Sequence, residues 1–182
     1  MKLYWLSYSS RSGSTYLANQ IANKGIAVLP ELGIYSQLAR EAKGSKLIKG
    51  HRALKLLTES KNKNIFDNWM DEEVVEFKYN FNSEGNYHFE GVIKEIARCY
   101  FYPNLPDVVL VKKGGITWNL DTRHAFNSIN IIYLYRDIVP VFESQSRTSY
   151  SQGGVMLSNG VMGLIKEYML MIADAYIRKF FS

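Results

Sequence analysis

The sequence predicts an α/β fold, a three-layer sandwich with a central parallel sheet of about four or five strands and helices on both faces. The first observation is a set of short apolar runs rich in β-branched and aromatic residues, typical of strands buried on both faces. The second is that helical patterns separate these runs, and strands that alternate with helices favour a parallel sheet. The strands are expected at Leu3–Tyr8, Val108–Val111 and Ile129–Tyr135, with weaker candidates at Gly25–Leu29 and Lys46–Lys49.

Helical patterns of apolar residues occupy the intervals between these strands. They are expected at Thr15–Asn23, Leu32–Lys43, Ala53–Ser60, Asn64–Phe77, Phe89–Tyr100, Thr122–Ser128, Val139–Ser146 and Leu157–Phe181. The segment Tyr79–Tyr87 is rich in Asn, Ser and Gly, which predicts a loop. The apolar stretch Val161–Ile172 has Lys166 and Glu167 in its middle, so it predicts a buried helix and not a membrane span.

Length and composition favour a single domain, residues 1–182. A chain that is 47% hydrophobic and 21% charged can bury a substantial core, and this is not the composition of a disordered protein. The net charge of +5 is spread along the chain, which suits a small anionic ligand but requires no partner. Basic and acidic residues are interspersed and no RNA- or DNA-binding motif is recognisable, so nucleic acid is not an expected partner.

Cysteine and histidine usage argues against disulfides and against a bound metal. Cys99 is the single cysteine, so an intramolecular disulfide framework is impossible. The three histidines, His51, His88 and His124, lack the spacing of metal ligands. The apolar run at the N-terminus is too short for a signal sequence and leads straight into a loop, so a cytoplasmic location is expected.

The segment Ser9–Tyr16 lies between the first strand and the first helix and predicts an anion-binding turn. Backbone N–H groups at a helix N-terminus attract negative charge. Gly13 lets the backbone come close to a ligand. Hydroxyl groups and one permanent positive charge are supplied by Ser12, Ser14, Thr15 and Arg11.

This turn is not a Walker A loop. That motif is G-x-x-x-x-G-K-[ST], whereas here Ser14 follows Gly13 and the first glycine is absent. A simpler interpretation is a serine-rich turn in which Ser12 or Ser14 caps the helix.

The run Arg11-Ser12-Gly13-Ser14-Thr15-Tyr16 resembles the 5′-phosphosulfate loop of sulfotransferases that use 3′-phosphoadenosine 5′-phosphosulfate (PAPS). The resemblance implies a P-loop NTPase-like version of the fold and PAPS as co-substrate. It also implies metal-free transfer of a sulfuryl group to the hydroxyl or amine of a small-molecule or carbohydrate acceptor. Residues 11–15 would surround the 5′-phosphate and sulfuryl group, with Arg11 on the bridging and leaving oxygens. Tyr16, the residue that follows the loop, would also belong to the cofactor-binding residues.

A second motif resembles the same family. The strand that ends in Tyr135 is followed by Arg136 and Asp137, and Ser144 stands eight residues after the arginine. The resemblance implies that Arg136 and Ser144 bind the 3′-phosphate of PAPS, and an arginine can hold a phosphate through two parallel hydrogen bonds. Alternatively, an Arg-Asp pair simply ends a strand.

Lys112 and Lys113 end the strand before the Arg-Asp strand. The resemblance to sulfotransferases implies that a lysine at the end of this strand lies near the transferred group, and we take Lys112 as the catalytic candidate. Two solvated lysines at a strand end are an equally simple interpretation.

Two residues compete for the role of catalytic base. Glu31 follows the second strand, which resembles carbohydrate and protein-tyrosine sulfotransferases. His51, in Lys49-Gly50-His51, resembles the Lys-x-His of cytosolic sulfotransferases. In those enzymes, however, that motif lies shortly before the Arg-Asp strand, where this chain has Lys112 and then Gly114. We therefore favour Glu31.

The resemblance covers the start of the chain and about residues 107–146. Residues 52–106 match no motif and are expected to form a mainly helical insertion near the acceptor pocket. A further strand found in the family is not visible after Ser144. Two alternatives therefore stay open. One is a kinase with a degenerate P-loop, which would need a cradle lysine and a magnesium-binding carboxylate. The other is a non-catalytic nucleotide-binding module of the same ancestry.

Overall fold

The computed structural model describes residues 1–8, 12–42, 47–58, 82–117, 121–137, 139–141, 143 and 160–181. The first half contains β1 (Lys2–Tyr8), α1 (Ser14–Ala22), β2 (Ala27–Leu29), α2 (Ile34–Glu41), β3 (Leu47–Lys49) and α3 (Gly50–Thr58). Then come β4 (Asn86–His88), α4 (Phe89–Phe101), β5 (Val108–Lys112), a 3₁₀ helix (Arg123–Phe126), β6 (Asn130–Leu134) and α5 (Gly160–Phe181).

Four parallel strands form the central sheet, in the order β2-β5-β1-β6. β1 is paired on both sides: its residue Tyr4 lies opposite Leu110 of β5 and opposite Asn130 of β6. The prediction of an α/β fold with a parallel sheet is confirmed. Because all four strands run the same way, their carboxyl ends lie along one edge.

The side chains of β1 alternate between two hydrophobic clusters, as the period of a strand requires. Leu3 and Trp5 lie in the larger cluster, which contains buried residues of α2, α3 and α4. Trp5 is fully buried, and its ring lies 5.6 Å from that of Tyr35 and 4.7 Å from that of Phe126, both edge-to-face. Such aromatic pairs add to the stabilisation from burial alone.

The opposite face of the sheet carries a smaller cluster. It consists of Leu6, Tyr8 and Leu110, against which Leu17 and Ile21 of α1 pack. Helices therefore cover both faces, with α1 on one side and α2, α3 and α4 on the other. The end of β1 that leads into the turn thus lies directly under the first helix.

The strand candidate Lys46–Lys49 is part of a different sheet from the one predicted. It forms β3, which pairs antiparallel with β4 in a separate two-stranded sheet. The described part of the expected loop Tyr79–Tyr87 is therefore held in place: the Gly50 N–H donates to the Gly85 carbonyl at 2.7 Å. A Cβ at Gly50 would lie 1.9 Å from the Asn82 carbonyl oxygen, so only glycine permits this approach.

The described helices of residues 52–106 pack on the main core. α4 matches the predicted helix closely, and it buries Phe89, Val92, Ile93, Ile96, Ala97 and Cys99. α3 begins at Gly50, three residues before the predicted Ala53, and buries Leu54 and Leu57. The helix expected at Asn64–Phe77 lies outside the described residues.

α5 differs from the buried helix expected at Val161–Ile172. Met169 is 66% exposed, and Ile172 and Tyr176 are exposed as well. Only Met171 and Asp174 are buried among its described side chains, because one narrow stripe of the helix faces the protein. No helix within the described part of the chain is long and apolar enough to cross a membrane.

Candidate functional site

The carboxyl edge of the sheet brings together side chains that follow three different strands. Tyr8 ends β1, Glu31 follows β2, and Lys112 and Lys113 lie at the end of β5. With Thr15 of α1 they form what we call the carboxyl-edge cluster. The chain leaves β1 toward β2 on one side and later crosses to β6 on the other, and open α/β sheets bind ligands at such a switch point.

The turn into α1 leaves the start of that helix without a side-chain cap. Gly13 occupies the N-cap position with φ of +88°, a left-handed conformation that glycine adopts readily. Neither Ser12 nor Ser14 caps α1, so the interpretation that one of them does is wrong. Among the described residues no side chain accepts from the first N–H groups of the helix, which can therefore bind another acceptor. Arg11 lies outside the described residues.

Ser12 carries a buried hydroxyl that no described residue pairs with. The residue is 5% exposed, and its Oγ has no hydrogen-bond partner within the part of the chain that the structure describes. A buried polar atom left unpaired costs about 1–3 kcal/mol. By contrast the hydroxyl of Ser7, within β1, shares a buried hydrogen bond of 2.5 Å with the hydroxyl of Thr117. The Ser12 hydroxyl can therefore donate a hydrogen bond to a ligand in this turn.

Glu31 accepts hydrogen bonds from two donors. The Tyr8 hydroxyl donates to Oε2 at 2.6 Å, and the Lys113 ammonium donates to Oε1 at 3.0 Å. Lys112 lies 3.7 Å from Oε2. The carboxylate is 40% exposed, so its remaining lone pairs can be reached from solvent.

Lys112 connects this carboxylate to the turn. Its ammonium donates to Thr15 Oγ1 at 3.0 Å and lies 5.5 Å above the centre of the Tyr8 ring. The side chain is only 14% exposed because it emerges on the α1 face of the sheet. A cation, the first turn of a helix and a carboxylate thus meet in one crevice.

These contacts shift the pKa values of both Glu31 and Tyr8 away from neutral pH. Partial burial alone would raise the pKa of Glu31, but the hydrogen bonds from Tyr8 and Lys113 and the two lysine charges outweigh it and lower the pKa. Burial raises the pKa of Tyr8, and the hydrogen bond to Glu31 and its negative charge raise it further. At neutral pH the pair is therefore a carboxylate and a neutral phenol.

The end of β5 is fixed against β1 by backbone contacts. The Trp5 indole N–H donates to the Lys113 carbonyl at 2.8 Å, and the Lys113 N–H donates to the Leu6 carbonyl at 3.3 Å. A Cβ at Gly114 would lie 2.3 Å from the Tyr8 carbonyl oxygen, so glycine is required there. The backbone that carries Lys112 and Lys113 is therefore held firmly against β1.

Arg136 lies at the same edge, after β6, and is exposed. Its carbonyl accepts from the Tyr168 hydroxyl at 2.8 Å, which ties α5 to this strand end. Asp137 Oδ1 accepts from the Val139 N–H at 3.0 Å. This is the contact of an N-cap residue with the second residue of a helix, so Asp137 caps the helical residues that follow it. Ser144, predicted as the partner of Arg136, lies outside the described residues.

His51 is placed elsewhere. It is exposed in the first turn of α3, and its backbone N–H donates to the Ser83 carbonyl at 2.8 Å. No contact of the described residues brings it to the carboxyl-edge cluster. Tyr16 is 72% exposed, and it points away from the core.

The part of the chain that the structure describes contains no cluster of side chains suited to binding a metal ion. No three His, Cys, Asp or Glu side chains come together there as a metal site. The single carboxylate of Glu31 is paired with two lysines, so one positive charge stays uncompensated in this group. An anionic ligand would therefore meet cations in this crevice and not a carboxylate cluster.

A separate cavity of about 670 Å³ lies between β6 and α5. Two of its charged groups are paired: Asp174 accepts from Tyr133 and from Arg178, whose guanidinium also donates to the Phe126 carbonyl at 2.9 Å. The cavity borders β6 from Asn130 to Tyr133. These polar groups anchor α5 to the sheet.

Sequence reasoning brought Glu31 and Lys112 forward but missed Tyr8. An aromatic residue in an apolar strand is usually interpreted as core, and Tyr8 does pack in the smaller cluster. The available signal was its position as the last residue of β1, on the same face as Leu6. Lys113 was one of two lysine candidates, and it makes the shorter contact to Glu31.

No family model, curated protein or solved structure matches this chain. Within the described residues, a single edge of the sheet carries a helix start without a side-chain cap, an unpaired buried hydroxyl, two lysines and one accessible carboxylate.

Glu31 should stabilise the fold in a pH-dependent way. Its folded-state pKa lies below the ordinary value of 4.5, so the stabilisation is present above about pH 4.5 and is lost as the pH falls through the folded-state pKa. Denaturant unfolding of the wild type and Glu31→Gln between pH 7 and 3 should show their stability difference shrinking with acid. In a Lys113→Met background this trend should weaken, and a pH-independent difference would contradict the assignment.

Proposed function

We propose that this protein is a PAPS-dependent sulfotransferase that moves a sulfuryl group to a hydroxyl or amine of a small-molecule or carbohydrate acceptor. The observation that carries the proposal is the position of Lys112. Its ammonium contacts Thr15 at the helix start, 3.0 Å away, and lies 3.7 Å from the Glu31 carboxylate. Sulfuryl transfer needs an anion cradle, a cation at the transferred group and a base, and these three elements meet here.

Donor binding would use the turn and the end of β6. The 5′-phosphate and sulfuryl group would occupy the turn around Gly13, with Ser12, Ser14, Thr15 and Arg11 as donors. Arg136 and Ser144 would bind the 3′-phosphate. The strand–turn–helix at the centre of a parallel sheet supports a P-loop NTPase-like version of the fold.

The reaction moves one group and one proton. The acceptor oxygen or nitrogen attacks sulfur and forms a new bond to it, while the bond from sulfur to the bridging phosphate oxygen breaks. The leaving adenosine 3′,5′-bisphosphate keeps that electron pair, and Lys112 and Arg11 stabilise the charge that develops on it. Glu31 takes the proton of the acceptor.

The proposal is tested first by nucleotide preference. Calorimetric titration in EDTA should give tighter binding of adenosine 3′,5′-bisphosphate than of AMP, by roughly 10-fold or more, because Arg136 adds charge-assisted hydrogen bonds. Arg136→Ala should remove most of that preference and leave AMP affinity nearly unchanged. Arg98→Ala, which removes an arginine that pairs with Glu95 on α4, is the matched control and should keep the preference.

Two results would refute the donor assignment. Equal affinity for AMP and the bisphosphate in the wild type would remove Arg136 from a 3′-phosphate site. Preference for ATP with magnesium over the bisphosphate without metal would favour a kinase. Bisphosphate binding without sulfuryl transfer to any acceptor in a broad screen would leave a non-catalytic nucleotide-binding module.

Ser12 gives a prediction with opposite signs for stability and binding. Ser12→Ala removes a buried hydroxyl that has no partner among the described residues, so the free energy of unfolding should stay level or rise. Bisphosphate affinity should fall by roughly 10- to 100-fold, since a hydrogen bond to a charged ligand is lost.

Ser7→Ala is the matched control for this prediction. It deletes a buried hydroxyl that is paired with Thr117, so it should destabilise the fold and leave bisphosphate affinity unchanged. Unchanged affinity in Ser12→Ala would place the ligand somewhere other than this turn.

The base is tested by two substitutions. Glu31→Gln should abolish sulfuryl transfer while bisphosphate binding stays undiminished, because the amide cannot accept the proton but still fills the space. His51→Ala should remain active, since His51 is exposed on α3. Steady-state transfer assays with both variants decide between them. An active Glu31→Gln and an inactive His51→Ala would reverse the assignment.

A further inference from the structure

The phenol of Tyr8 lies where three strand ends meet. It donates to Glu31 Oε2 at 2.6 Å. Burial raises the pKa of this phenol, and the nearby Ser14 side chain and Gly114 backbone partly offset that rise. Tyr8 therefore lies between the first residue of α1, the turn after β5 and the carboxylate after β2.

We propose that Tyr8 is the positioning residue of Glu31, holding its carboxylate in one orientation while the lysines exchange partners. This inference rests on the proposed function, because it concerns how the base of that reaction is held. Tyr8 itself does not take the proton. It acts through the oxygen to which it donates, and the free lone pairs of the carboxylate face the crevice.

The lysines are poorly suited to this task. Lys112 already divides its ammonium between Thr15 and Glu31, and an anionic donor in the turn would attract both lysines. An ammonium on a four-carbon chain has rotational freedom that a phenol lacks. The contacts from Lys112 and Lys113 therefore change when a donor binds, whereas a neutral phenol is not drawn toward it.

Tyr8 is held rigidly for the same purpose. Its residue is 6% exposed, and its ring packs with Leu6 and Leu110 under α1. A Cβ at Gly114 would come within 3.0 Å of the Tyr8 ring. A side chain at position 114 would thus displace the phenol from Glu31, which gives this glycine a role in the site.

The test is Tyr8→Phe, which keeps the ring and removes the hydroxyl. We expect bisphosphate affinity within about twofold of wild type and a maximal transfer rate lower by roughly 10- to 100-fold, the range for one lost hydrogen bond to a charged group. The acidic limb of the pH–rate profile should move to higher pH, because the carboxylate has lost a donor. A purely structural role would lower the amount of folded protein without moving that limb.

A second readout does not depend on activity. The Glu31 carboxyl carbon can be titrated by NMR in protein labelled at glutamate, with its signal assigned by its loss in Glu31→Gln. Tyr8→Phe should raise the midpoint of that titration. Tyr133→Phe is the matched control, since Tyr133 likewise donates to a carboxylate, Asp174, outside the cluster, and it should leave the midpoint unchanged.

The outcomes separate the two proposals. An unchanged Glu31 midpoint and an unchanged pH–rate profile in Tyr8→Phe overturn the positioning role, whether or not the protein is a sulfotransferase. A raised midpoint in a protein that binds no bisphosphate supports the role of Tyr8 in holding the carboxylate and refutes the donor assignment.

Discussion

The parallel pairing of β1 with two neighbours is the constraint on which the site depends. Leu6 lies opposite Lys112 on one side and Ile132 on the other, so the ends of β5 and β6 fall beside the turn into α1. β2 is paired with β5, which places the residues after it at the same edge. Residues distant in sequence become neighbours because hydrogen bonds set the register, and a slip of one residue would turn each side chain to the opposite face.

Charge compensation follows from that arrangement. Two lysines at one strand end would repel each other and any further cation, and Glu31 relieves this repulsion from the next strand over. The compensation is incomplete because one carboxylate faces two ammonium groups. A crevice with an excess of positive charge and an uncapped helix start retains the capacity to bind an anion.

The sequence predicted the parts of the fold that depend on long or strongly apolar segments. α4, β1 and β5 were found because burial on one stripe of a helix or on both faces of a strand leaves a clear pattern, whereas β6 was found from its apolar residues although it is an edge strand with half-exposed side chains. The partner of β3 could not be predicted, since a strand of three residues has no periodicity that indicates its direction. The exposure of α5 was missed because a helix apolar on most sides looks buried. At the site, residue types indicated Glu31 and Lys112, whereas the role of Tyr8 depends on a contact across strands.

In the proposed reaction the low basicity of free Glu31 has a physical explanation. Tyr8, Lys113 and Lys112 together lower the pKa of Glu31, so the carboxylate is a weak base as long as no sulfuryl donor is bound. An anionic donor that draws the lysines toward its own oxygens removes part of that stabilisation and adds a nearby negative charge, and both effects raise the pKa. By linkage, the donor then binds the protonated site more tightly than the ionised one. The carboxylate therefore becomes a stronger base only once the donor is in place, when a proton has to be accepted.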